Sequence, residues 1–325
     1  MNKLAILAVM PSVRVSNGGL PGNTGIIVGE AFAAMVRPSP DEGTAGRSRA
    51  ELARILLENQ KAVESVMAFS PVLPVKFGTL ASDGDMVRDF LAEGAPLFKQ
   101  AFSTLGDLVE IDVAVRWDMA DTVRDVGLNA ALSARLAAAV TEAERHDAGK
   151  ELIRLIDERR DGIARRIIDA MHPHAADLIV PDFHDPEQVA DLALLVDRTV
   201  LDQLDHTLER LDAGYSGKLS FRRIGPMPPY SFATIHVNFP QSAALERARE
   251  ILGVDPLASA AEIKAAYHRS MRTIHPDLNG AVKDGGVLMT EFAEAYDALR
   301  NDRISVSLLR NPGAQGPRQC CTSMP

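Results

Sequence analysis

Cysteine is almost missing from this chain of 325 residues: the two present, Cys320 and Cys321, are adjacent and lie near the last residue. Neighbouring thiols cannot staple distant segments, so a disulfide framework is excluded and a reducing, cytoplasmic setting is expected. They read as incidental thiols, not as a soft-metal site. Positive charge is also short. The net charge of -9 at pH 7 excludes a general nucleic-acid binder, which shows a basic footprint. It equally excludes a peripheral protein held on acidic lipid by charge, so neither nucleic acid nor membrane is expected as a partner. No apolar run reaches the ~18 residues of a membrane span. Met1-Asn2-Lys3 followed by Leu4 to Met10 imitates a signal peptide, but its apolar part is short and no Ala-x-Ala site follows. It reads as a buried first strand.

Chemical machinery is lacking too. There is no Gly-x-x-x-x-Gly-Lys-Ser/Thr, and Gly217-Lys218 has neither the upstream glycine nor the adjoining hydroxyl. No ATP site and no cofactor are expected. His172, His174 and His184 lie near Asp182 and Asp185, but the stretch is turn-rich and has no cysteine, so a surface cluster is read in preference to a metal site. No residue reads as catalytic, and the chain is not expected to be an enzyme.

What is present is enough apolar material, 46%, to fill the cores of two or three domains. Leu4–Met10 and Gly25–Val36 read as two strands around a turn-rich gap. A helical period runs over Arg47–Met67, then a short strand over Val72–Phe77, a helix over Asp83–Phe102 interrupted near Gly94 and Pro96, and a strand over Leu108–Trp117. From Ala120 to about Met171 the chain is helical and free of proline, as two helices meeting near His146–Gly149. Its charges, Asp157 to Asp161 with Arg165 and Arg166, read as a solvated face in preference to a docking surface. Val189–Val196, Thr199–Leu211, Lys218–Ile224 and Phe232–Val237 form a β-α-β-β unit. The fold class is α+β: two α/β-type lobes, the second ferredoxin-like, joined by a helical region and followed by a small all-α module. The limits drawn are 1–118, 119–175, 176–240, 241–305 and, as a disordered tail, 306–325.

Two segments stand out in the first three quarters. In Val72-Leu73-Pro74-Val75-Lys76-Phe77-Gly78-Thr79, Pro74 cannot donate to a ladder and marks an edge or a bulge. Gly78 permits a turn that other residues take at a cost. In Gly225-Pro226-Met227-Pro228-Pro229-Tyr230-Ser231-Phe232 the prolines make a stiff, extended segment. Tyr230 and Phe232, two apart, point to one side. Alone, that stretch is also compatible with a turn or an SH3-like ligand. Both segments, in order, resemble the signatures of the gas-vesicle GvpL/GvpF family, and Leu194-Leu195-Val196-Asp197-Arg198 fits its strand-then-Asp-Arg pattern. Lys76 stands where arginine is usual, which weakens planar carboxylate pairing, and Met227 stands where tryptophan is common. The resemblance covers Leu4 to Val237. It implies two lobes, a structural role for Pro74, Lys76, Phe77, Gly78, Gly225, Pro226, Pro228, Pro229, Tyr230 and Phe232, and association with gas vesicles. It also implies contact with other gas-vesicle proteins, in particular the small hydrophobic shell protein.

The last quarter has another plan. Ala243–Gly253 reads as a helix ending at its glycine, and Ser259 with Glu262 forms a capping box for a helix to Ile274. At about 100° per residue, Lys264, His268, Arg272 and His275 share one face beside the apolar Ile263, Ala266, Tyr267, Ser270 and Ile274. Pro276 stops that helix. Leu288, Phe292, Ala295, Tyr296 and Leu299 make a second core stripe. Ile251-Leu252-Gly253-Val254 and His275-Pro276-Asp277 at this spacing resemble a J domain, which implies docking to a DnaK-type chaperone through Lys264, Tyr267, Arg269, Arg272, His275, Pro276 and Asp277. His268, Ser270 and Leu278 depart from the usual base, leucine and base. With ten acids against eight bases over Ala243–Arg303, the module is not basic overall. Two functions stay open: an assembly factor that covers the shell subunit and calls in a chaperone, and a structural vesicle protein whose J-like module only tethers.

Overall fold

The structure is a computed structural model that describes residues 3–14, 22–39, 47–239, 242–255, 258–274, 285–300 and 304–310. The first lobe is an antiparallel sheet around β1 (Lys3–Pro11), flanked by β3 (Phe32–Ser39) and β2 (Gly25–Val28) on one side. On the other side lie the short β4 (Leu73–Pro74) and β5 (Leu80–Ala81). Ile6 to Met10 are all buried, because the sheet is covered on both faces. Leu7 and Met10 face α1 (Arg49–Met67), and Ile6 and Val9 face α2 (Gly84–Leu105). The expected second strand is two, β2 and β3, since the chain reverses at Gly29–Ala31.

Helix α1 starts at a capping box. Ser48 Oγ accepts from Glu51 N (3.3 Å) and the Glu51 carboxylate accepts from Ser48 N (2.9 Å). Helix α2 starts at Asp83, which accepts from Met86 N (2.9 Å), and it is continuous where an interruption was expected. The reason is packing. A Cβ at Gly94 would lie 2.2 Å from the Phe98 ring, so glycine lets Phe98 lie flat on the helix. Phe98 is fully buried and meets Phe32 and Phe90 edge-on at 5.5 and 5.4 Å. This aromatic cluster outweighs the cost of Pro96 in the helix.

The helical region holds three helices, not two: α3 (Met119–Gly127), α4 (Ala130–Ala138) and α5 (Glu142–Met171). The breaks fall where side chains cap the next helix. Asn129 Oδ1 accepts from Ala131 N and Leu132 N at 3.1 and 3.2 Å. Thr141 Oγ1 accepts from Glu144 N at 3.2 Å. His146–Gly149 lies within α5. The charges of α5 pair along the surface, as Arg160 with Asp157 at 2.9 Å and Arg159 with Asp125 at 3.4 Å.

The second sheet has the order β7 (Asp177–Ile179), β8 (Gln188–Val196), β6 (Val109–Trp117), β9 (Leu219–Met227), all antiparallel. Helices α5 and α6 (Leu201–Tyr215) cover one face, where Ile111, Val113 and Val115 share a core with Ile163, Ile167, Leu204 and Leu208. The path β6-α5-β7-β8-α6-β9 in this order is the ferredoxin-like split βαβ plan. Its limits therefore differ from those drawn on the sequence. Strand β6, assigned to the first lobe, is central in the second sheet, and α5 packs on that sheet instead of bridging the lobes. Strand β10 (Thr234–Asn238), assigned to the second lobe, returns to the first, where Ile235 bridges Val75 in parallel.

Among the described residues three helices follow: α7 (Ser242–Leu252), α8 (Ala260–Ile274) and α9 (Gly285–Arg300). They enclose a small core of Leu245, Ala248, Leu252, Ala266, Ala295 and Leu299. The chain then forms β11 (Ser305–Leu309), antiparallel to β10. Residues 306–309 are thus a strand, not a tail. Ile304, Val306 and Leu308 pack on the first lobe's core.

Candidate functional site

The two sequence signatures meet in space. After β4, Val75 N donates to Leu7 O (3.0 Å) and Lys76 N donates to Ile235 O (2.8 Å), so the first segment is bonded to β1 on one side and β10 on the other. Pro74 sits on the edge strand, where its missing N–H costs no ladder bond. Gly78 adopts φ +89°, and the turn closes as Thr79 Oγ1 donates to Lys76 O at 2.7 Å.

The second segment is extended only through Gly225–Met227, the end of β9, and turns from Pro228 onward. Tyr230 N donates to Pro228 O (2.7 Å), and Phe232 N and Ala233 N both donate to Pro229 O (3.2 and 2.9 Å). The two-residue alternation expected of Tyr230 and Phe232 therefore fails. Phe232 is buried against Ile179, Ala193 and Leu195 of the second sheet, while Tyr230 is half-buried and turns toward the first lobe. Pro228 and Pro229 are buried and Pro226 is half-buried. Gly225 has φ +112°, and a Cβ there would lie 2.7 Å from Glu110 O, so no other residue fits.

Glu110, on β6, holds this turn in place. It is 1% exposed, and its carboxylate accepts from Ser231 N (2.8 Å) and Ser231 Oγ (2.7 Å). Burial pushes its carboxyl up to about 7, partly opposed by the Ser231 bonds, with Asp112 adding repulsion. Asp112 is raised by burial and then by Asp191, which burial raises in turn. Arg198, from the Asp-Arg pattern, donates to Met67 O at the end of α1 (3.0 Å) and ties the lobes together.

Between α1 and the signatures lies a cleft of about 530 Å³, lined by Ile55, Leu56, Val63, Phe77, Gly78 and Tyr230 among others. Leu56 on α1 is half-exposed and Phe77 is 37% exposed, so apolar surface lies open to solvent here. Asn59 Oδ1, on the same wall, is buried without a hydrogen-bond partner. Lys76 on the rim is exposed, and its ammonium has no partner among the described residues. A larger hollow, about 920 Å³, lies on the second lobe. Four of its five bases are paired, as Arg116 with Asp185 and Glu187 at 2.8 Å each, and Arg166 is exposed, so it is largely a solvated charge network. His174 bonds Thr207 (3.0 Å), and the described residues hold no group of three or more His, Cys, Asp or Glu placed for a metal.

In the helical module the Ser259–Glu262 capping box forms, with Glu262 N donating to Ser259 Oγ at 3.3 Å and Ser259 N to Glu262 at 2.7 Å. Lys264, His268, Arg269 and Arg272 are exposed on α8. Tyr267 faces inward instead, half-buried and stacked on Tyr296 with centroids 4.4 Å apart. His275, Pro276 and Asp277 lie outside the described residues.

The model of the gas vesicle synthesis protein GvpL/GvpF matches residues 7–234. The chain belongs to that family. Gas vesicle protein F of Streptomyces sp. (strain CB03234) is 27% identical over 233 residues, covering 68% of this chain and 94% of that protein. The crystal structures of GvpF from Anabaena sp. PCC7120 and Microcystis aeruginosa superpose with TM-scores of 0.61 and 0.58 at 19% and 18% identity. Each match covers 71% of this chain and 98% of the other, and shows a shared GvpF-like fold. The DnaJ domain model matches residues 249–304. Chaperone protein DnaJ of Exiguobacterium sibiricum is 49% identical over 53 residues, 16% of this chain and 14% of that protein. The chain thus spans a small part of its DnaJ relatives, namely the J domain. It is a GvpF-like protein with a J domain, which associates it with gas vesicles, and neither set of relatives bears an enzyme's name. No helix among the described residues is long and apolar enough to cross a membrane.

Sequence reasoning missed Glu110, Ser231 and β11. A glutamate beside Asp112 at alternate positions of a strand rich in valine and isoleucine was the available signal for the first. Alternation in Ser305–Leu309 was the signal for the last.

Proposed function

We propose that this GvpF-like chain is a gas-vesicle assembly factor. It holds the small hydrophobic shell subunit in the first-lobe cleft and recruits a DnaK-type chaperone through its J domain. The observation that carries this is the convergence of both family segments on one apolar cleft, with Leu56 and Phe77 open to solvent, in a chain that also carries a J domain. A subunit that lines a gas space exposes apolar surface before assembly, and such surface aggregates unless covered. On α8 the exposed Lys264, Arg269 and Arg272 supply charge for steering an acidic partner surface, and Tyr267 holds the helix from inside. His275, Pro276 and Asp277 complete docking.

The other reading, a structural vesicle protein with a tethering module, is favoured by the residues at His268, Ser270 and Leu278. The full-length chain decides between them. It should retain purified shell protein in a pull-down, Phe77→Asp should lose it, and the chain should stimulate DnaK ATPase in a manner that His275→Gln abolishes. Retention without stimulation, under conditions where an ordinary J domain stimulates, would leave the structural reading. Retention by Phe77→Asp equal to wild type would remove the cleft from the account.

A further inference from the structure

The J domain is not appended to the chain's last lobe. It is inserted into a hairpin of the first. Strand β10 leads into it and β11 leads out, and the two pair over Thr234↔Leu309 to Asn238↔Ser305. The last rung, Asn238↔Ser305, sits where the insertion begins and ends, and Asn238 Nδ2 also donates to Ser305 Oγ (3.4 Å). Paired residues in an antiparallel ladder lie ~5 Å apart, so the domain is held at two neighbouring points.

Both points are firm. On the entry side Phe239 meets the Phe90 ring of α2 edge-on at 6.2 Å. On the exit side Ile304, Val306 and Leu308 enter the first lobe's core, and Arg310 pairs with Asp177 of the second sheet at 2.6 Å. The connections are short: residues 239–241 before α7 and residues 301–304 after α9.

The strand that carries the domain is also the wall of the cleft. Thr234 and Tyr230 line it, and Ile235 O accepts from Lys76 N at 2.8 Å. From Thr234 to Asn238 a strand advances ~13 Å, and residues 239–241 add at most about 11 Å.

We infer that this double anchoring fixes chaperone docking beside the cleft, so that the chain presents a docked DnaK-type chaperone to the occupant of its own cleft, in cis. The inference rests on the proposed function and adds its geometry. The second encounter is intramolecular, and its effective concentration falls by about the three-halves power of connection length, so short connections favour it.

The test lengthens the connections and changes nothing else. A flexible Gly-Ser segment of about 20 residues is inserted after Phe239 and another after Arg300, in the full chain. Both strands and the J domain are kept. Fluorescent shell protein is bound first, and its transfer to DnaK in ATP is followed in a single turnover. Wild-type transfer should resist an excess of free J domain as competitor. Lengthening each connection from ~4 to ~24 residues should slow transfer roughly 15-fold, by the three-halves power of length. Shell-protein retention and DnaK ATPase stimulation, measured separately, should stay at wild-type values in the lengthened chain. Equal transfer by both chains, with retention and stimulation intact, overturns the inference and leaves the proposed function standing. Failure of the wild type to retain shell protein or to stimulate DnaK overturns both.

Discussion

Replacing Glu110 with glutamine should stabilise the protein, and by more as pH rises. The carboxyl is 1% exposed and its affinity for a proton is raised from 4.5 to about 7 by burial. A group that binds its proton more tightly when folded favours the folded state fully below the unfolded value. That contribution is lost as pH rises from about 4.5 through 7. At about 1.4 kcal/mol per unit, the charged form of Glu110 costs about 3 kcal/mol at pH 8. Glutamine keeps the shape. Its carbonyl accepts from Ser231 N and its amide donates to Ser231 Oγ, the two contacts now made by the carboxylate. Asp112 and Asp191, both raised by burial, slope the same way and remain in the variant. Urea unfolding from pH 5 to pH 8 should therefore give a difference, variant minus wild type, that grows by about 3 kcal/mol toward pH 8. A variant less stable than wild type at pH 8, or a difference that does not change with pH, would refute the reasoning.

Gly225→Ala meets both a positive φ and the Glu110 carbonyl 2.7 Å from its new methyl, so a loss of at least ~2 kcal/mol should appear in the melting temperature. Tyr230→Ala should cost about 2 kcal/mol, below the range for a fully buried ring because Tyr230 is half-buried; an unchanged unfolding midpoint would show that the turn is an exposed ligand. Ending the chain at Arg303 removes Ile304, Val306 and Leu308 from the first lobe's core and unpairs β10. That should destabilise the first lobe by about 3 kcal/mol while the J domain's helical signal persists, and an unaltered first-lobe transition would contradict it.

Much of this was legible because periodicity reports burial. The apolar stripe of α1, the capping box at Ser259 and the core of the J domain follow from spacing alone. Gly78 was visible as punctuation, and its positive φ agrees. What stayed hidden depends on contacts between distant segments. Helix α2 runs on past Gly94 and Pro96 because Phe98, lying over Gly94, packs on Phe32 of β3, a contact that the helix's own sequence does not show. Tyr230 and Phe232 part company because Glu110, 121 residues away, captures Ser231 between them. Strand β6 belongs with the second sheet because its partners β8 and β9 come later in the chain. The cleft was legible only in part: its residues were picked out by family resemblance, but their meeting across Val75 and Ile235 was not.

The hairpin also sets an order of events during synthesis. Strand β10 leaves the ribosome early, yet its only ladder partner among the described residues beyond the bridge at Val75 is β11, made after residues 239–304. At ~5–20 residues per second that interval is about 3–13 s. Throughout it the first lobe carries an open edge strand of Thr234–Asn238 and an uncovered apolar patch where Val306 and Leu308 will pack. Strand β11 therefore joins the first lobe only after the J domain has been made, so a nascent chain can meet a chaperone while its cleft residues are all present but the core of that lobe is still uncovered.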